Sequence, residues 1–129
     1  MDLAIVIVNW NVRDLLRRCL ASLQAAIETA GVDTTVVVVD NGSADGSVAM
    51  LQAEFPWVQV IASPTNVGFT RGNNLALRML GFTDPIQGPG EGAGGLGLPR
   101  YILLLNPDTE VPPTALAACA ATAVRPRPG

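Results

Sequence analysis

Two residue types on which enzyme active sites often depend are missing from this 129-residue chain, which contains no lysine and no histidine. A Ser-His-Asp triad, a Cys-His pair, a P-loop lysine and a zinc site built on histidine are therefore excluded. All eight basic residues are arginines, and the net charge is −3. This balance argues against a nucleic-acid-binding protein, because neutralising phosphates requires clustered cations.

Cysteine and charge are also scarce. The two cysteines, Cys19 and Cys119, each lie in an apolar helical pattern, which predicts reduced core residues of a cytosolic protein rather than a disulfide. Charged residues make up 15% and hydrophobic residues 49%, which predicts a single domain with a buried core. The first apolar run has the length of a strand and follows no basic segment, so neither a membrane span nor a signal peptide is predicted.

Short apolar runs alternate with stretches of helical spacing. The runs predict four strands, at Leu3–Val8, Thr35–Val39, Val58–Ala62 and Tyr101–Leu105. The first is predicted to be buried on both faces, and the second is also predicted to be buried. The other stretches predict helices over Val12–Ile27, Ser47–Phe55, about Arg71–Leu80 and Pro112 to about Val124. Asn11 is the predicted N-cap of the first helix, and Gly31 its predicted end. Such alternation indicates βαβ units and a parallel sheet.

A segment rich in glycine and proline, at about residues 84–99, interrupts this pattern. Its composition offers too little apolar surface to offset the entropy lost on ordering. We therefore predict a flexible surface insertion between the third helix and the fourth strand, within one domain covering residues 1–129.

Polar residues follow the predicted strands at the points where ligands bind in open α/β sheets. They are Asn9, Trp10 and Asn11 after the first strand, Asp40 after the second, and Asn106 and Asp108 after the fourth. This placement predicts a nucleotide-like ligand. A dinucleotide-dependent oxidoreductase is excluded, because residues 9–14 contain no glycine where that class needs G-x-G-x-x-G.

Four motifs in this order resemble the amino-terminal, nucleotide-sugar-binding half of family 2 glycosyltransferases. The motifs are Ala4–Asn11 (AIVIVNWN), Val38–Ser47 (VVDNGSADGS), Asn66–Phe69 with Gly72–Asn74 (NVGF, GNN) and Leu103–Thr109 (LLLNPDT). The chain looks most similar to the rhamnosyltransferase-like branch, in which the metal motif reads Asn-Pro-Asp instead of Asp-x-Asp. The resemblance covers nearly the whole chain apart from the insertion.

The resemblance implies a GT-A fold, with a Rossmann-like, mainly parallel sheet of order 3-2-1-4 flanked by helices. It implies transfer of a sugar from a dTDP- or UDP-linked donor to an acceptor hydroxyl, with inversion and with help from Mg²⁺ or Mn²⁺. The catalytic base is expected beyond Gly129, so no catalytic residue is assigned here and the chain alone is expected to be inactive. A non-catalytic nucleotide-sugar-binding or interaction domain of the same fold is the alternative.

The family also implies surroundings for the reaction. The acceptor is expected to be a saccharide or a lipid-linked molecule bound by the following half, in the synthesis of cell wall or polysaccharide. The protein is expected in the cytoplasm, free or peripheral at the inner face of the membrane. Without the following half an apolar surface is left uncovered, so we expect self-association.

Asp108 is the residue that the resemblance assigns to the metal, with Asn106 as a weaker ligand. A Pro-Asp turn is the alternative role of Asp108. Asp40 is expected to accept a hydrogen bond from the N–H of uracil or thymine, and an Asx-turn is its alternative role. Trp10 either lies near the base or covers the edge of the core.

The donor-binding residues implied by the resemblance are Val8, Asn9, Trp10, Asn11, Asp40, Asn66, Gly68, Asn73, Asn74 and Asn106. Those between residues 66 and 74 are expected under the diphosphate-sugar, with helix capping by the asparagines as the alternative. Asn73 stands where many family members have a basic residue, and whether Arg71 replaces that residue is left open.

Overall fold

A four-stranded parallel sheet forms the centre of the computed structural model, which describes residues 2–82 and 98–118. The strands are β1 (Leu3–Asn9), β2 (Thr34–Asn41), β3 (Gln59–Ser63) and β4 (Tyr101–Leu105). The helices are α1 (Arg13–Ala30), α2 (Ser47–Glu54) and α3 (Phe69–Leu80). The sheet order is β3-β2-β1-β4 with every pairing parallel, which confirms the predicted order.

The two central strands are apolar throughout because both of their faces are covered. Successive residues of a strand point to opposite faces. Ile5 and Val38 accordingly join the core under α1 and α2, whereas Val6 and Val37 join the core under α3. The described helices therefore form one layer on each side of the sheet, with α1 and α2 on one side and α3 on the other.

The N-terminus of α1 differs from the prediction, and the assignment of Asn11 as its N-cap is wrong. Asn11 has a left-handed backbone (φ 52°), and its side-chain oxygen accepts a hydrogen bond from the Ala44 N–H at 2.8 Å. Val12 occupies the cap position and makes no side-chain capping bond. The Arg13 N–H instead donates to the carboxylate of Asp45 at 2.8 Å. A partner from a distant loop has thus replaced the local cap.

Other boundaries shift by a few residues. Gly31 ends α1 in the left-handed conformation, as predicted. β2 continues to Asn41, because Asp40 pairs with both β1 and β3 and Asn41 pairs with β3. The helix predicted to begin near Arg71 starts at Phe69. Of the last predicted helix, residues 115–118 are helical. Its remainder, Cys119 and most of the predicted insertion lie outside the described residues.

The edge strand β4 is covered on one face and open on the other. Leu103 and Leu105 pack against the core beneath α1. On the opposite face, Ile102 is 37% exposed and Leu104 52% exposed, because α3 packs over β1 and β2. Within the described ranges, no helix has both the length and the apolarity of a membrane span.

Candidate functional site

The carboxyl ends of the strands lie side by side and define one edge of the sheet. Asn9 is paired with Asp40 across β1 and β2, and Ile7 is paired with Leu105 across β1 and β4. Neighbouring strands lie about 4.8 Å apart, so β2 and β4 are separated by about 10 Å. A single elongated ligand can therefore contact residues after β1, β2 and β4 at once.

Asn9 and Asp40 form a buried polar pair at this edge, with exposed fractions of 0% and 2%. The Asn9 amide nitrogen donates to one carboxylate oxygen of Asp40 at 3.0 Å, and the Ser43 N–H donates to the other at 3.0 Å. The second bond confirms the turn role of Asp40. The Asn9 side-chain oxygen is buried without a partner among the described residues. Leaving a buried acceptor unpaired costs about 1–3 kcal/mol of folding free energy. This oxygen is left unpaired in the orientation that lets the amide nitrogen donate to Asp40.

Ser43 joins the loop that follows β2 to the loop that follows β1. Its hydroxyl oxygen accepts hydrogen bonds from the Asn11 N–H at 2.9 Å and from the Asn9 amide nitrogen at 3.4 Å. Together with the bond between Asn11 and the Ala44 N–H, these contacts hold the two loops as one unit. Trp10 lies in the first loop and is 53% exposed. Its exposure excludes full burial in the core and leaves the ring accessible to a ligand.

The Asp45 carboxylate links the N-termini of α1 and α2. It accepts hydrogen bonds from the Arg13 N–H at 2.8 Å, from the Ser47 N–H at 3.1 Å and from the Ser47 hydroxyl. Desolvation is the largest single influence and raises the pKa of Asp45, but the hydrogen bonds from Ser47 and Arg13 outweigh it and lower that pKa. Our sequence reasoning missed this residue, although Asp-Gly-Ser before a helix is a recognisable capping signal.

Asn41 holds the loop that follows β3, and our sequence reasoning missed this residue as well. Its buried amide donates to the Gly68 carbonyl at 3.1 Å and accepts from the Val67 N–H at 3.2 Å. The Asn66 side chain accepts from the Gly68 N–H at 2.8 Å, which is a local turn bond. Gly42 has φ 78°, and a Cβ there would lie 2.9 Å from the Thr65 backbone, so the close approach of the two loops requires glycine.

The two consecutive asparagines of α3 point in different directions. Asn73 is buried on the face that packs against the sheet, beside Gly72, where a Cβ would lie 2.9 Å from a methyl group of Val8. Asn74 is exposed on the outer face of the same helix, where it lines a pocket with Arg71. The structure therefore brings Gly72 against Val8 and buries Asn73 beside it, whereas Asn74 lies on the exposed face of the helix.

Asn106 and Asp108 are both exposed and lie in a turn that follows β4. The Thr109 N–H donates to the Asn106 carbonyl at 3.1 Å, which confirms the turn at Pro107-Asp108. Beneath the turn, the Cys19 thiol donates to the same carbonyl at 3.9 Å. Burial, and secondarily the charge of Asp108, raises the pKa of Cys19 to about 11. The cysteine is therefore a neutral core residue, as predicted.

The donors after β4 fit a divalent ion only in part. Within residues 2–82 and 98–118, no group of three His, Cys, Asp or Glu side chains is placed to hold a metal. Asp108 supplies one carboxylate, and Asn106 supplies a neutral oxygen. Mg²⁺ in proteins commonly takes one or two carboxylates, with phosphate oxygens and waters as its other ligands. The donor set therefore fits an ion shared with a diphosphate, but not an ion held by protein alone.

Comparison with solved structures defines the class of fold. Crystal structures of S. aureus TarS 1–349 match with a TM-score of 0.66 for the protein without a stated ligand and 0.68 for its complex with UDP. Both are 22% identical and cover 94% of this chain, which spans 32% and 31% of those chains. The chain thus shares the GT-A fold of these glycosyltransferases, with a mainly parallel sheet of order 3-2-1-4 flanked by helices.

The sequence profile of Glycosyl transferase family 2 matches residues 4–129, and the chain belongs to that family. A curated relative is the N-acetylglucosaminyl-diphospho-decaprenol L-rhamnosyltransferase of Mycobacterium tuberculosis, 30% identical over 131 residues. The match covers 98% of this chain and 39% of the relative. A relative with the same description in a second strain matches equally.

Proposed function

We propose that this chain is the donor-binding half of a glycosyltransferase that uses a dTDP- or UDP-linked sugar. One observation carries the proposal. The buried Asn9–Asp40 pair ends β1 and β2 and the exposed Asp108 follows β4, so these residues belong to one sheet edge, along which β2 and β4 are about two strand spacings apart. A nucleotide diphosphate has a hydrogen-bonding base at one end and negative phosphates at the other, so its chemistry matches this order of groups.

The base is bound between the loops after β1 and β2. Each carboxylate oxygen of Asp40 accepts one protein hydrogen bond and keeps a lone pair. The ring N–H of uracil or thymine is a suitable donor to this lone pair when the base is inserted between the two loops. Trp10 offers an exposed aromatic ring on the neighbouring loop. Asn9 and Ser43 fix the carboxylate, so the base meets an acceptor that is already oriented.

The diphosphate is bound beside β4 together with Mg²⁺ or Mn²⁺. Asp108 holds the ion with its carboxylate, and Asn106 assists with its neutral oxygen. The bound ion supplies positive charge against the diphosphate, for which the chain offers few other cations: it has no lysine or histidine, and Arg71 is the arginine near the site in sequence. Since the protein contributes one carboxylate, metal and nucleotide are expected to bind together.

Sugar transfer requires more than this half. The chain spans 39% of the length of its curated relative, and we infer that the general base lies in the part it does not cover. General base catalysis contributes about 10²–10⁴ in rate, so this chain alone is expected to bind donor without turnover. The relative is named for a lipid-linked acceptor. We propose a saccharide or lipid-linked acceptor here, inversion at the sugar, and action in the cytoplasm or at the inner membrane face.

Calorimetric titration of UDP and dTDP, with Mn²⁺ and with EDTA, tests both ends of the site. Asp108→Asn is expected to abolish the gain in affinity that Mn²⁺ provides. Asp40→Asn is expected to weaken binding with and without Mn²⁺. Glu110→Gln, an exposed acid two residues beyond Asp108, is the matched control and should bind like the wild type. Equal wild-type affinity in EDTA and in Mn²⁺ would refute the metal assignment.

Self-association is a separate expectation. The exposed side chains of Ile102 and Leu104 on β4 supply an apolar surface. Sedimentation of the purified chain over a range of concentrations is expected to show oligomers. A chain that stays monomeric at high concentration would contradict this expectation.

A further inference from the structure

A pocket of about 380 Å³ lies on the outer face of α3, away from the sheet. Val67, Arg71, Asn74, Leu75 and Arg78 line it. It begins near the sheet edge, since the Val67 N–H is bonded to Asn41, and it follows the helix away from that edge. The seven residues from Arg71 to Arg78 correspond to about two helical turns, or about 10 Å. The residues of α3 that face the sheet, among them Gly72 and Ala76, do not line this pocket.

The charge of the pocket is unbalanced. α3 carries two arginines and no acidic residue, although the whole chain has a net charge of −3. Both arginines are exposed, and neither forms an ion pair with any residue in the described ranges. On α1, by contrast, Arg17 pairs with Asp14 and Glu54. The cations of α3 are thus available to a ligand, whereas Arg17 is already neutralised.

The side chains that line the pocket favour a phosphate-bearing ligand. Guanidinium groups bind phosphate oxygens through two parallel hydrogen bonds and keep their charge at every physiological pH. The amide of Asn74 lies between the two arginines along the helix and offers a further donor. Val67 and Leu75 add apolar contacts. Among the described residues no carboxylate lines the pocket, so the lining offers an anion no like charge and no need for a divalent ion.

We propose that this pocket binds a phosphate-bearing ligand through Arg71 and Arg78, as a second anionic site on the chain. The ligand is either a soluble diphosphate or phosphate ester, or the headgroup of an anionic lipid, since both present the same oxygens. The proposal does not rest on the donor site. It differs from that site in one measurable property, because binding here is independent of Mn²⁺ and of Asp108.

Inorganic pyrophosphate titrated into the full chain at low ionic strength, in EDTA, tests the pocket. Arg71→Gln combined with Arg78→Gln is expected to weaken binding by about tenfold or more, the factor expected for losing one charged hydrogen bond. Arg18→Gln is the matched control, because Arg18 is exposed on α1 and forms no ion pair with a described residue.

Vesicles distinguish the two sources of phosphate. The chain is sedimented with vesicles of phosphatidylcholine alone and with vesicles that also contain phosphatidylglycerol. If the wild type and Arg18→Gln bind the anionic vesicles and the double variant does not, the ligand of the pocket is a lipid headgroup. If the wild type and Arg18→Gln bind pyrophosphate more tightly than the double variant does, and none of the three binds vesicles, the ligand of the pocket is a soluble phosphate. Absence of both, or equal losses in Arg18→Gln, would overturn the proposal.

Discussion

The two ends of the candidate donor site are built in opposite ways. At β1 and β2, Asn9, Asp40 and Ser43 are joined by side-chain hydrogen bonds, and the first two are buried. At β4, Asn106 and Asp108 are exposed, and no side-chain hydrogen bond of either is found within the described residues. The first end is organised before a ligand arrives, whereas the second is free to adjust when one binds.

This difference suggests a division of labour. Recognition of a planar base depends on hydrogen bonds in fixed directions, which a buried and oriented carboxylate provides. Binding of a hydrated ion and a flexible diphosphate tolerates movement, because waters and phosphate oxygens complete the coordination. Substitutions at the first end should therefore change folding stability, and those at the second end should change metal affinity.

The largest effect is expected from Asn9→Asp, which places a second carboxylate against buried Asp40. Two like charges without water between them should cost about 3–5 kcal/mol of unfolding free energy at pH 7. Urea denaturation at pH 7 measures this loss. An unfolding free energy at pH 7 equal to that of the wild type would contradict the organised state of this end.

A pH-dependent effect is expected from Cys19, which lies beneath the turn at Asn106. Its pKa of about 11 in the folded chain lies above its ordinary value of 9.0. Between these two pH values the unfolded chain releases the proton and the folded chain keeps it. Stability should therefore fall as pH rises, by at most about 1.4 kcal/mol per pH unit. Urea denaturation in EDTA between pH 8 and pH 10.5 should give a shallower slope for Cys19→Ala than for the wild type.

A moderate effect is expected from Asp45→Ala, which removes the cap shared by α1 and α2. Losing a capping carboxylate should cost about 1–2 kcal/mol of unfolding free energy. Asp45→Asn keeps one acceptor oxygen and should cost less. Since the pKa of Asp45 is lowered on folding, its stabilisation is present above its ordinary pKa and is lost as pH falls through the folded value. Thermal unfolding at decreasing pH should therefore show a smaller loss of stability for Asp45→Ala than for the wild type.

The smallest effect on stability is expected from Asn106→Asp, the same chemical change as Asn9→Asp at the open end. An exposed site should tolerate it within about 0.5 kcal/mol. Mn²⁺ binding should become tighter, because a second carboxylate then faces the ion. Calorimetric titration of Mn²⁺ with and without UDP measures this gain. If Asn106→Asp destabilised the fold as much as Asn9→Asp, the contrast between the two ends would be lost.

The sheet and the sequence positions along its edge were predictable, because each depends on a continuous stretch of chain. Uninterrupted apolar runs indicated the buried parallel strands, and polar residues marked their ends. The partners of Ser43, Asn41 and Asp45 were not predictable, since they are set by the register of β1 against β2 and by how the loops meet. The role of Asn11 was not predictable for the same reason. Its position before α1 suits a local N-cap, yet its side chain is hydrogen-bonded to the Ala44 N–H.

The carboxylate of Asp45 caps the N–H of Arg13, which lies 32 residues earlier in the chain. A local cap forms while the rest of a protein is still unfolded, but this one requires β1, α1 and β2 to be in place. The first turn of α1 should therefore stay frayed until that unit closes, late on the folding pathway. In a kinetic experiment, Asp45→Ala is expected to accelerate unfolding and to leave the refolding rate nearly unchanged.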